Sequence, residues 1–472
     1  MAQKLSTPPG TRDFMPEVVV RRQYIFNTIR KSFEVYGFSP IETPSFELSQ
    51  TLLGKYGEEG DKLLFQILRS GNYLSKIDEG EVTERLTKEK FDALTLEERV
   101  SLNQITGKIS EKALRYDLTV PFARFVVEHQ NYLAFPFKRY QIQPVWRADR
   151  PQKSRYQEFF QCDADVVGSN SLVYEVDYVQ LFDEVLTNLK VPQAVIKINN
   201  RKILSGIAEV SGQSDKLIDI TVAIDKLDKI GLDGVLKELQ SKGIDDVALD
   251  KIKPLFEIAG DTRQRLDQMK SFLSESEVGL KGIEELEYIF DATDRLGLRS
   301  AEVEFDVTLA RGLNYYTGAI FEVKCNAVEI GSICGGGRYD DLTGIFGMKN
   351  MSGVGISFGA DRIYDVLKEL ELFPESVDSR LELLFINFGD NEAIYCMDQV
   401  KKMREAGISS ELYPKSAKMN KQMKYANERG VKFVALVGQN EIEQGVLRIK
   451  NMDSGEQQDI RPEDLVNHLK NQ

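Results

Sequence analysis

Residues Lys138 to Gly168, KRYQIQPVWRADRPQKSRYQEFFQCDADVVG, are the stretch of sequence that decides the fold. Apolar side chains recur on both sides of a polar connection, RADRPQKSR, which carries four cations within nine residues. Strand-like arms around a polar segment that contains proline predict a hairpin with a long loop. A hairpin tip with this much positive charge is either a solvated basic turn or a site for an anion.

The length, composition and net charge of the chain limit the classes of protein to which it can belong. Its 472 residues are 42% hydrophobic and 29% charged, which is ordinary for a folded protein of about three domains. The chain has no apolar run of eighteen residues and no apolar signal segment at its start, so we expect no membrane association. The net charge of −13 disfavours nonspecific binding to polyanions, so a nucleic-acid partner needs local basic patches.

The cysteines and histidines narrow the chemistry further. The four cysteines are scattered without a CxxC pair, which indicates a reducing, cytoplasmic location and argues against a disulfide framework or a structural zinc site. The two histidines are His129, near a predicted helix end, and His468, in the last predicted helix. A mechanism that depends on a histidine base or a histidine-rich metal site is therefore disfavoured.

The hairpin carries a resemblance to a known family. The sequence WRADRPQKSRYQEFFQ, residues 146–161, resembles motif 2 of class II aminoacyl-tRNA synthetases, and its RPQKSRYQEFFQ part resembles histidyl-tRNA synthetases. A helix predicted over Arg21–Tyr36, followed by a strand over Phe38–Phe46, resembles motif 1 and implies a homodimer interface. Gly353–Leu367, read as a strand and then a helix, resembles motif 3.

Two further peptides resemble signatures of histidyl-tRNA synthetases. The first is RGLNYYTG, Arg311–Gly318, which follows a strand predicted from the apolar alternation over Glu302–Leu309. The second is GGGRYD, Gly335–Asp340, which we interpret as a glycine-rich turn that lets backbone approach a ligand. Without the resemblance, paired tyrosines are equally typical of a core, and a single arginine of a surface ion pair.

The family resemblance implies an α+β fold: a class II synthetase antiparallel sheet with flanking helices, an inserted helical domain and a C-terminal α/β anticodon-binding domain. Helices are predicted over Ser171–Leu189, Ile218–Gly243 and Leu249–Phe272. Ser75–Ser110 breaks the family spacing and predicts a surface insertion with a helix over Thr95–Leu102. The predicted domains are the first catalytic part at 1–199, the helical insertion at 200–300, the second catalytic part at 301–372 and the anticodon-binding domain at 381–472.

Asp117 and Thr119 could hold an ammonium group. They are two residues apart, so their side chains would point the same way on an extended segment. The alternative is that Asp117 caps a helix that begins near Pro121. The resemblance favours the first interpretation, because it implies that these residues hold the α-amino group of histidine.

The remaining site residues follow from the resemblance. It implies that Arg147 and Arg311 are catalytic and act on the α-phosphate of ATP from two sides. Arg362 gains support from physics, because a cation in the first turn of a helix is disfavoured unless an anion lies nearby; pairing with Asp361 or Asp365 is the alternative. The implied histidine-binding residues are Asp117, Thr119, Arg147, Gln161, Asp165, Arg311, Tyr315 and Tyr316, and the implied ATP-binding residues are Arg147, Asp149, Arg155, Phe159 and Arg362.

The resemblance also implies partners and cofactors. ATP is expected as a substrate together with Mg²⁺, whose ligands the sequence does not define, and tRNA(His) is expected as the macromolecular partner. Arg150 and Gln152 are candidates for contact with the extra 5′ guanosine of histidine tRNAs. Asp149 and Asp165 stand where many relatives have Glu, so both acids reach one methylene less far. A basic stripe, Lys415, Lys418, Lys421 and Lys424, is either a solvated helix face or part of the anticodon-binding surface.

The function implied is the activation of L-histidine with ATP to histidyl-adenylate and its transfer to the 3′ end of tRNA(His). One alternative is a catalytically inactive synthetase-like regulatory subunit of histidine biosynthesis, but such paralogues typically lack the C-terminal domain. Another is a class II synthetase for a different amino acid, such as proline or threonine, against which the RGLNYYTG peptide argues. A dehydrogenase is disfavoured because the glycine spacing after Gly353 does not match the dinucleotide fingerprint.

Overall fold

The computed structural model describes residues 5–56, 60–71, 109–152, 155–310, 315–340, 342–374, 377 and 381–471. The chain divides into two compact units, Met1–Leu372 and Phe373–Gln472. The first unit holds three of the four predicted domains, whose exact ranges stay predictions. The insertion predicted at Ser75–Ser110, with its helix over Thr95–Leu102, falls outside the described residues except for its last two positions. In the described part of the chain, no helix combines the length and apolar character needed to cross a membrane.

The first unit contains two sheets among its described residues. The larger is mainly antiparallel in the order β1-β5-β6-β11-β10-β9-β7-β8, and the smaller has the order β2-β4-β3. Only the β1–β5 and β7–β8 pairs of the larger sheet are parallel. In chain order the strands are β1 (Ser39–Pro40), β2 (Phe46–Leu48), β3 (Gln66–Ile67), β4 (Lys112–Leu114), β5 (Phe137–Trp146), β6 (Glu158–Val167), β7 (Ala194–Asn200), β8 (Glu302–Phe305), β9 (Ala319–Cys325), β10 (Cys334–Tyr339) and β11 (Gly353–Gly359).

The predicted hairpin is confirmed as β5 and β6. Their register runs from Phe137 opposite Val167 to Trp146 opposite Glu158, so the polar connection closes the hairpin at one end of the sheet. Cys162, Ala164 and Val166 of β6 are fully buried on one face. Because side chains alternate along a strand, Phe159, Gln161, Asp163 and Asp165 lie on the opposite face.

Helices cover the buried face of the sheet. The predicted first helix is confirmed and starts earlier than expected, at Pro16, and Ile25, Ile29 and Phe33 on its inner face are inaccessible to solvent. In chain order the helices described in this unit are α1 (Pro16–Val35), α2 (Ser49–Leu52), α3 (Thr119–His129), α4 (Val173–Asn188), α5 (Arg201–Val210), α6 (Leu217–Ile224), α7 (Leu227–Ser241), α8 (Asp246–Ile252), α9 (Thr262–Phe272), α10 (Glu277–Leu296) and α11 (Ala360–Glu369).

Two strand predictions and one turn prediction need correction. The strand predicted over Phe38–Phe46 is wrong as a single element, because the chain leaves β1 at Pro40 and enters the smaller sheet at β2. The carbonyls of Thr43 and Pro44, between the two strands, instead accept hydrogen bonds from buried Arg115. The strand predicted over Glu302–Leu309 ends at Phe305, because Asp306 accepts from the backbone N–H of Thr308 and turns the chain. The glycine-rich segment at 335–340 is not a turn but most of β10.

The helical character predicted after Asn200 is confirmed, but the two long helices are each divided. Ile218–Gly243 becomes α6 and α7, and Gly231 interrupts α7 with a φ of 67°. Leu249–Phe272 becomes α8 and α9, which are separated around Pro254 and by Gly260 with a φ of 111°. Proline and left-handed glycine cannot continue a regular helix without cost, which explains both breaks.

The second unit is a small α/β domain, as predicted. Its sheet has the order β13-β12-β14-β15-β16. The sequence missed β16 because its exposed residues, QQD, show no apolar alternation, and it missed the short α14. The described elements are β12 (Leu383–Phe385), α12 (Asp390–Glu405), β13 (Ser410–Leu412), α13 (Met419–Glu428), β14 (Phe433–Leu436), α14 (Gln439–Gln444), β15 (Leu447–Asn451), β16 (Gln457–Ile460) and α15 (Leu465–Lys470).

Candidate active site

A cavity of about 750 Å³ lies on the polar face of the larger sheet, at the end where the hairpin loop begins. Residues from β6, β10, β11, the hairpin loop and the start of α11 line it. Its size and its mixture of aromatic and charged walls are typical of a site for a small organic ligand. Among the residues predicted from the sequence, those that line it are Arg147, Asp149, Arg155, Phe159, Gln161, Tyr316 and Arg362.

Arg147 lies at the point where β5 leaves the sheet. Its Nε donates a hydrogen bond to the carbonyl oxygen of Tyr116 at 3.1 Å. Its guanidinium carbon lies 4.2 Å from the ring centroid of Tyr116 and 5.2 Å from that of Phe159. These contacts hold the cation beside the aromatic wall of the cavity.

Asp149 and Arg155 form an ion pair across the base of the hairpin loop, with 2.8 Å between Oδ1 and Nη2. The Arg155 side chain is 49% exposed, so this pair costs little to break or to share with an anionic ligand. Gln152 also lines the cavity rim, whereas Arg150 is exposed outside it. Their predicted contact with a tRNA 5′ end stays a prediction.

Arg362 approaches the cavity from the first turn of α11. Its Nη1 donates to the carbonyl oxygen of Ser332 at 2.6 Å, which directs the guanidinium along the cavity wall. Neighbouring Asp361 also lines the cavity; it is paired with Arg12 at 2.6 Å and with Arg22, and it accepts from the backbone N–H of Phe160. Motif 3 is thereby tied to both the N-terminal segment and the hairpin.

The prediction that Asp117 and Thr119 lie on one extended segment is wrong. Thr119 is the first residue of α3, and Asp117 caps that helix by accepting from the backbone N–H of Val120 at 3.2 Å. The carboxylate also accepts from the hydroxyls of Tyr56 at 3.0 Å and Tyr315 at 3.4 Å, and Tyr315 is hydrogen-bonded to Thr119 as well. Burial raises the pKa of Asp117. Asp117 and Thr119 are therefore both hydrogen-bonded to the Tyr315 hydroxyl, and the helix start at α3 brings them together.

Asp165 lies deeper, at the far end of the same row of side chains. It is 2% exposed, pairs with the fully buried Arg139 at 2.8 Å and accepts from the hydroxyl of Tyr339 at 2.7 Å. Burial raises its pKa, and the Arg139 cation opposes that shift. Its carboxylate overlies Gly355 so closely that a Cβ there would lie 1.9 Å from Asp165 Oδ1.

The two tyrosines predicted from the sequence have different surroundings in the structure. Tyr315 turns toward Asp117, whereas Tyr316 lines the cavity. The Tyr316 ring packs on Gly337, where a Cβ would meet Cδ1 at 2.8 Å. Burial, followed by the nearby carboxylates Asp165 and Asp163, raises the pKa of the Tyr316 hydroxyl, which keeps it neutral.

Arg311 lies outside the described residues, as do the three positions after it. Leu309 on one side of this gap and Tyr316 on the other both line the cavity. The predicted catalytic role of Arg311 stays a prediction.

Sequence reasoning missed several residues of this site. Arg139 could have been found by folding the hairpin about its centre, because it lies directly opposite Asp165 in the register. Asp225 and Lys229 of the inserted helices also line the cavity, and no local pattern marks them. Arg338, within a predicted signature, instead binds buried Glu175 through Nε and Nη2 and supports the sheet from its other side.

The amino-acid sequence is similar to that of known protein families and of curated relatives. A family model for histidyl-tRNA synthetase matches residues 92–363, and one for an anticodon-binding domain matches residues 383–472. Histidine–tRNA ligase of Flavobacterium johnsoniae is 60% identical over 473 residues, covering 99% of this chain and 100% of the relative. That of Christiangramia forsetii is 59% identical over 471 residues and covers 100% of both chains.

A solved structure is similar over the same length. The crystal structure of histidyl-tRNA synthetase from Nostoc sp. PCC 7120 matches with a TM-score of 0.80 and 29% identity, covering 100% of both chains. Together with the mainly antiparallel sheet and its flanking helices, this similarity confirms the predicted α+β class II synthetase fold.

Proposed function

Because the chain belongs to the histidyl-tRNA synthetase family, we propose that it activates L-histidine with ATP and transfers the histidyl group to tRNA(His). In the first step the histidine carboxylate attacks the α-phosphorus of ATP. A bond forms between carboxylate oxygen and phosphorus, the bond to the bridging oxygen breaks, and pyrophosphate leaves. In the second step a hydroxyl of the 3′-terminal ribose attacks the acyl carbon, and AMP leaves.

The observation that carries the proposal is the cavity, in which three arginines and an aromatic ring surround one space. Arg147, Arg155 and Arg362 all line it together with Phe159. The attacking carboxylate is already ionised at neutral pH, so the first step needs no general base. It needs alignment and positive charge at the phosphoryl oxygens, which guanidinium groups supply.

The roles proposed for the cations are those that the family implies, and the positions of Arg147, Arg155 and Arg362 around the cavity support them. Arg147, fixed between two aromatic rings, would contact the α-phosphate and the substrate carboxylate. Arg311 would act on the α-phosphate from the other side. Arg155 and Arg362, at the loop and at the helix start, would hold the β- and γ-phosphates, and Phe159 would stack on adenine. Asp149 would orient Arg155 through their ion pair.

Histidine would lie along β6, with its polar end near Gln161 and its imidazole near Asp165 and Tyr316. Asp117 and Thr119 act on the polar end through Tyr315 and the start of α3. A site that pairs both ring nitrogens rejects analogues without them, because its own buried groups would then lose their partners. The fixed position of Asp165 between Arg139 and Tyr339 supports such selectivity.

Mg²⁺ belongs to the proposal as the ion that accompanies ATP. Among the described residues no group of three or more His, Cys, Asp or Glu side chains could hold a metal ion alone. This fits an ion bound mainly by phosphate oxygens with one or two carboxylates, as is usual for Mg²⁺ at nucleotide sites. Four of the described acids line the cavity, Asp149, Asp225, Glu322 and Asp361, and the protein ligands of the ion are proposed to lie among them.

A homodimer is also proposed. Phe46, at the end of the motif 1 region, and Leu48, two residues after it, lie on the smaller sheet and are 47% and 50% exposed. Apolar side chains that share an exposed strand are typical of an interface. Phe46→Asp is expected to shift sedimentation from dimer to monomer, and an unchanged dimer would place the interface elsewhere.

Contact with the tRNA anticodon is proposed for the second unit, where Lys415, Lys418, Lys421 and Lys424 are all exposed. This local positive charge contrasts with the net charge of −13 of the whole chain. Cytoplasmic location is part of the proposal as well, and the four free cysteines are consistent with a reducing compartment.

ATP–pyrophosphate exchange across a panel of amino acids tests the proposal. We expect exchange with histidine alone, and loss of exchange in Arg147→Ala. Exchange with another amino acid would indicate a different class II synthetase. Absence of exchange with every amino acid would favour the regulatory-subunit alternative, against which the full-length ligase relatives and the anticodon-binding match already argue.

A further inference from the structure

A second carboxylate lies in the row between Gln161 and Asp165. Asp163 is 2% exposed and shares their face of β6 because it is two residues from each. Directly across the sheet, Ser357 of β11 pairs in register with Asp163. Ser357 is hydrogen-bonded to the Asp163 carboxylate, and its Oγ also accepts from Gln161 Nε2 at 3.1 Å.

We propose that Asp163 is a positioning residue that orients the Gln161 amide through Ser357, so that Gln161 presents its carbonyl oxygen to the α-ammonium group of histidine. This inference rests on the proposed function and adds a residue to its amino-acid site.

The direction of the hydrogen-bond chain follows from counting protons. A serine hydroxyl has one proton, and an ionised carboxylate can only accept. Ser357 therefore donates to Asp163 and can only accept from Gln161. The NH₂ end of the Gln161 amide must then face Ser357, and its oxygen must face away from it.

The atoms left over point to a ligand. Gln161 Oε1 and Asp163 Oδ1 are both shielded from solvent and have no hydrogen-bond partner within the described part of the chain. A buried acceptor without a donor is costly, and such groups are rare in folded proteins. Gln161 lines the cavity, so a substrate ammonium group placed there would satisfy its oxygen.

The surroundings of Asp163 make this chain sensitive to pH. Burial raises the pKa of Asp163 to about 7; Arg139 opposes this shift, and the carboxylates of Asp165 and Asp117 add to it. Above that pH the carboxylate is ionised and fixes the amide. Below it the protonated acid can donate to Ser357, which frees Ser357 to donate to Gln161 and reverses the amide. The charged and titratable groups that act on or respond to Asp163 are Arg115, Asp117, Arg139, Cys162, Asp165 and Tyr316.

The test compares KM for histidine in the exchange reaction for wild type and Asp163→Ala. At about pH 8 we expect KM to rise about tenfold, as for loss of one hydrogen bond to a charged group, with KM for ATP unchanged. At about pH 6 the KM for histidine of the variant should approach that of the wild type, because wild-type Asp163 is then protonated. Titration of histidine itself cancels in this comparison.

Ser357→Ala removes the middle of the chain and should raise KM for histidine by a similar factor. The double variant should be no worse than either single variant, since all three break one chain. Asp250→Ala, at an exposed carboxylate on α8 that pairs with Lys253, is the matched control and should leave both KM values unchanged.

A histidine KM within twofold of wild type at about pH 8 would overturn the role of Asp163. So would an equal effect at both pH values, or an equal rise in KM for ATP. Each of these outcomes leaves the proposed function standing, because wild-type exchange with histidine is measured in the same experiment. Failure of the wild type to use histidine would instead reject the proposed function.

Discussion

Gly355→Ala is the substitution that tests the histidine site most directly. Gly355 lies on β11 opposite Asp165. A Cβ added there would lie 1.9 Å from Asp165 Oδ1 and 2.4 Å from its Cγ, whereas ordinary contacts begin at 3.4 Å. The carboxylate must therefore move by more than about 1 Å, because β11 is held by strands on both sides and cannot recede.

Such a movement breaks defined contacts. Asp165 would leave the Tyr339 hydroxyl, now 2.7 Å away, and the Arg139 guanidinium, now 2.8 Å away. Asp165 would also leave the position in which it is proposed to accept a hydrogen bond from the imidazole of the substrate. Loss of a hydrogen bond to a charged group costs about 1.5–3 kcal/mol, which corresponds to a KM for histidine raised about 10- to 100-fold.

The assay is pyrophosphate exchange with histidine and ATP varied separately. KM for ATP should change little, because the three atoms nearest to the added methyl all belong to Asp165. Gly438→Ala in the second unit is the matched control, since the nearest described atom to its added methyl, at 3.2 Å, is the end of the flexible Glu441 side chain. If folded Gly355→Ala keeps a histidine KM within twofold of wild type, Asp165 does not recognise the substrate.

Three further outcomes are expected. Arg311→Ala should slow adenylate formation on the order of 100-fold, as loss of a charge-stabilising donor does, and a near-normal exchange rate would remove it from catalysis. Arg338→Met should destabilise the first unit by about 3–5 kcal/mol, because it leaves Glu175 buried and unpaired, and should lower its Tm by about 5 °C; an unchanged melting curve would contradict this. The double variant Lys421→Glu/Lys424→Glu should raise KM for tRNA on the order of tenfold and leave exchange unchanged; unaltered aminoacylation would mean that this face is only solvated.

Much of the local structure could be predicted from the sequence. The hairpin, α1, α4 and the β11–α11 unit follow from apolar spacing, glycine and proline positions, and alternation along strands. Because Phe159, Gln161 and Asp165 differ by even numbers, their shared face also follows from a strand alone. These features depend on residues that lie close together in the chain, which a sequence displays directly.

The immediate partners of the site depended on the tertiary structure. Asp165 meets Tyr339, 174 positions away, only because β6, β11 and β10 are adjacent in the sheet. Asp117 caps α3 and does not continue a strand, because helix α3 packs its buried face in the core and so fixes the backbone at its start. Strand order and helix start are set by burial of the whole core, which short-range patterns do not specify. The sequence by itself determined which residue types could bind a nucleotide and an amino acid, and the packed sheet decided which of them touch.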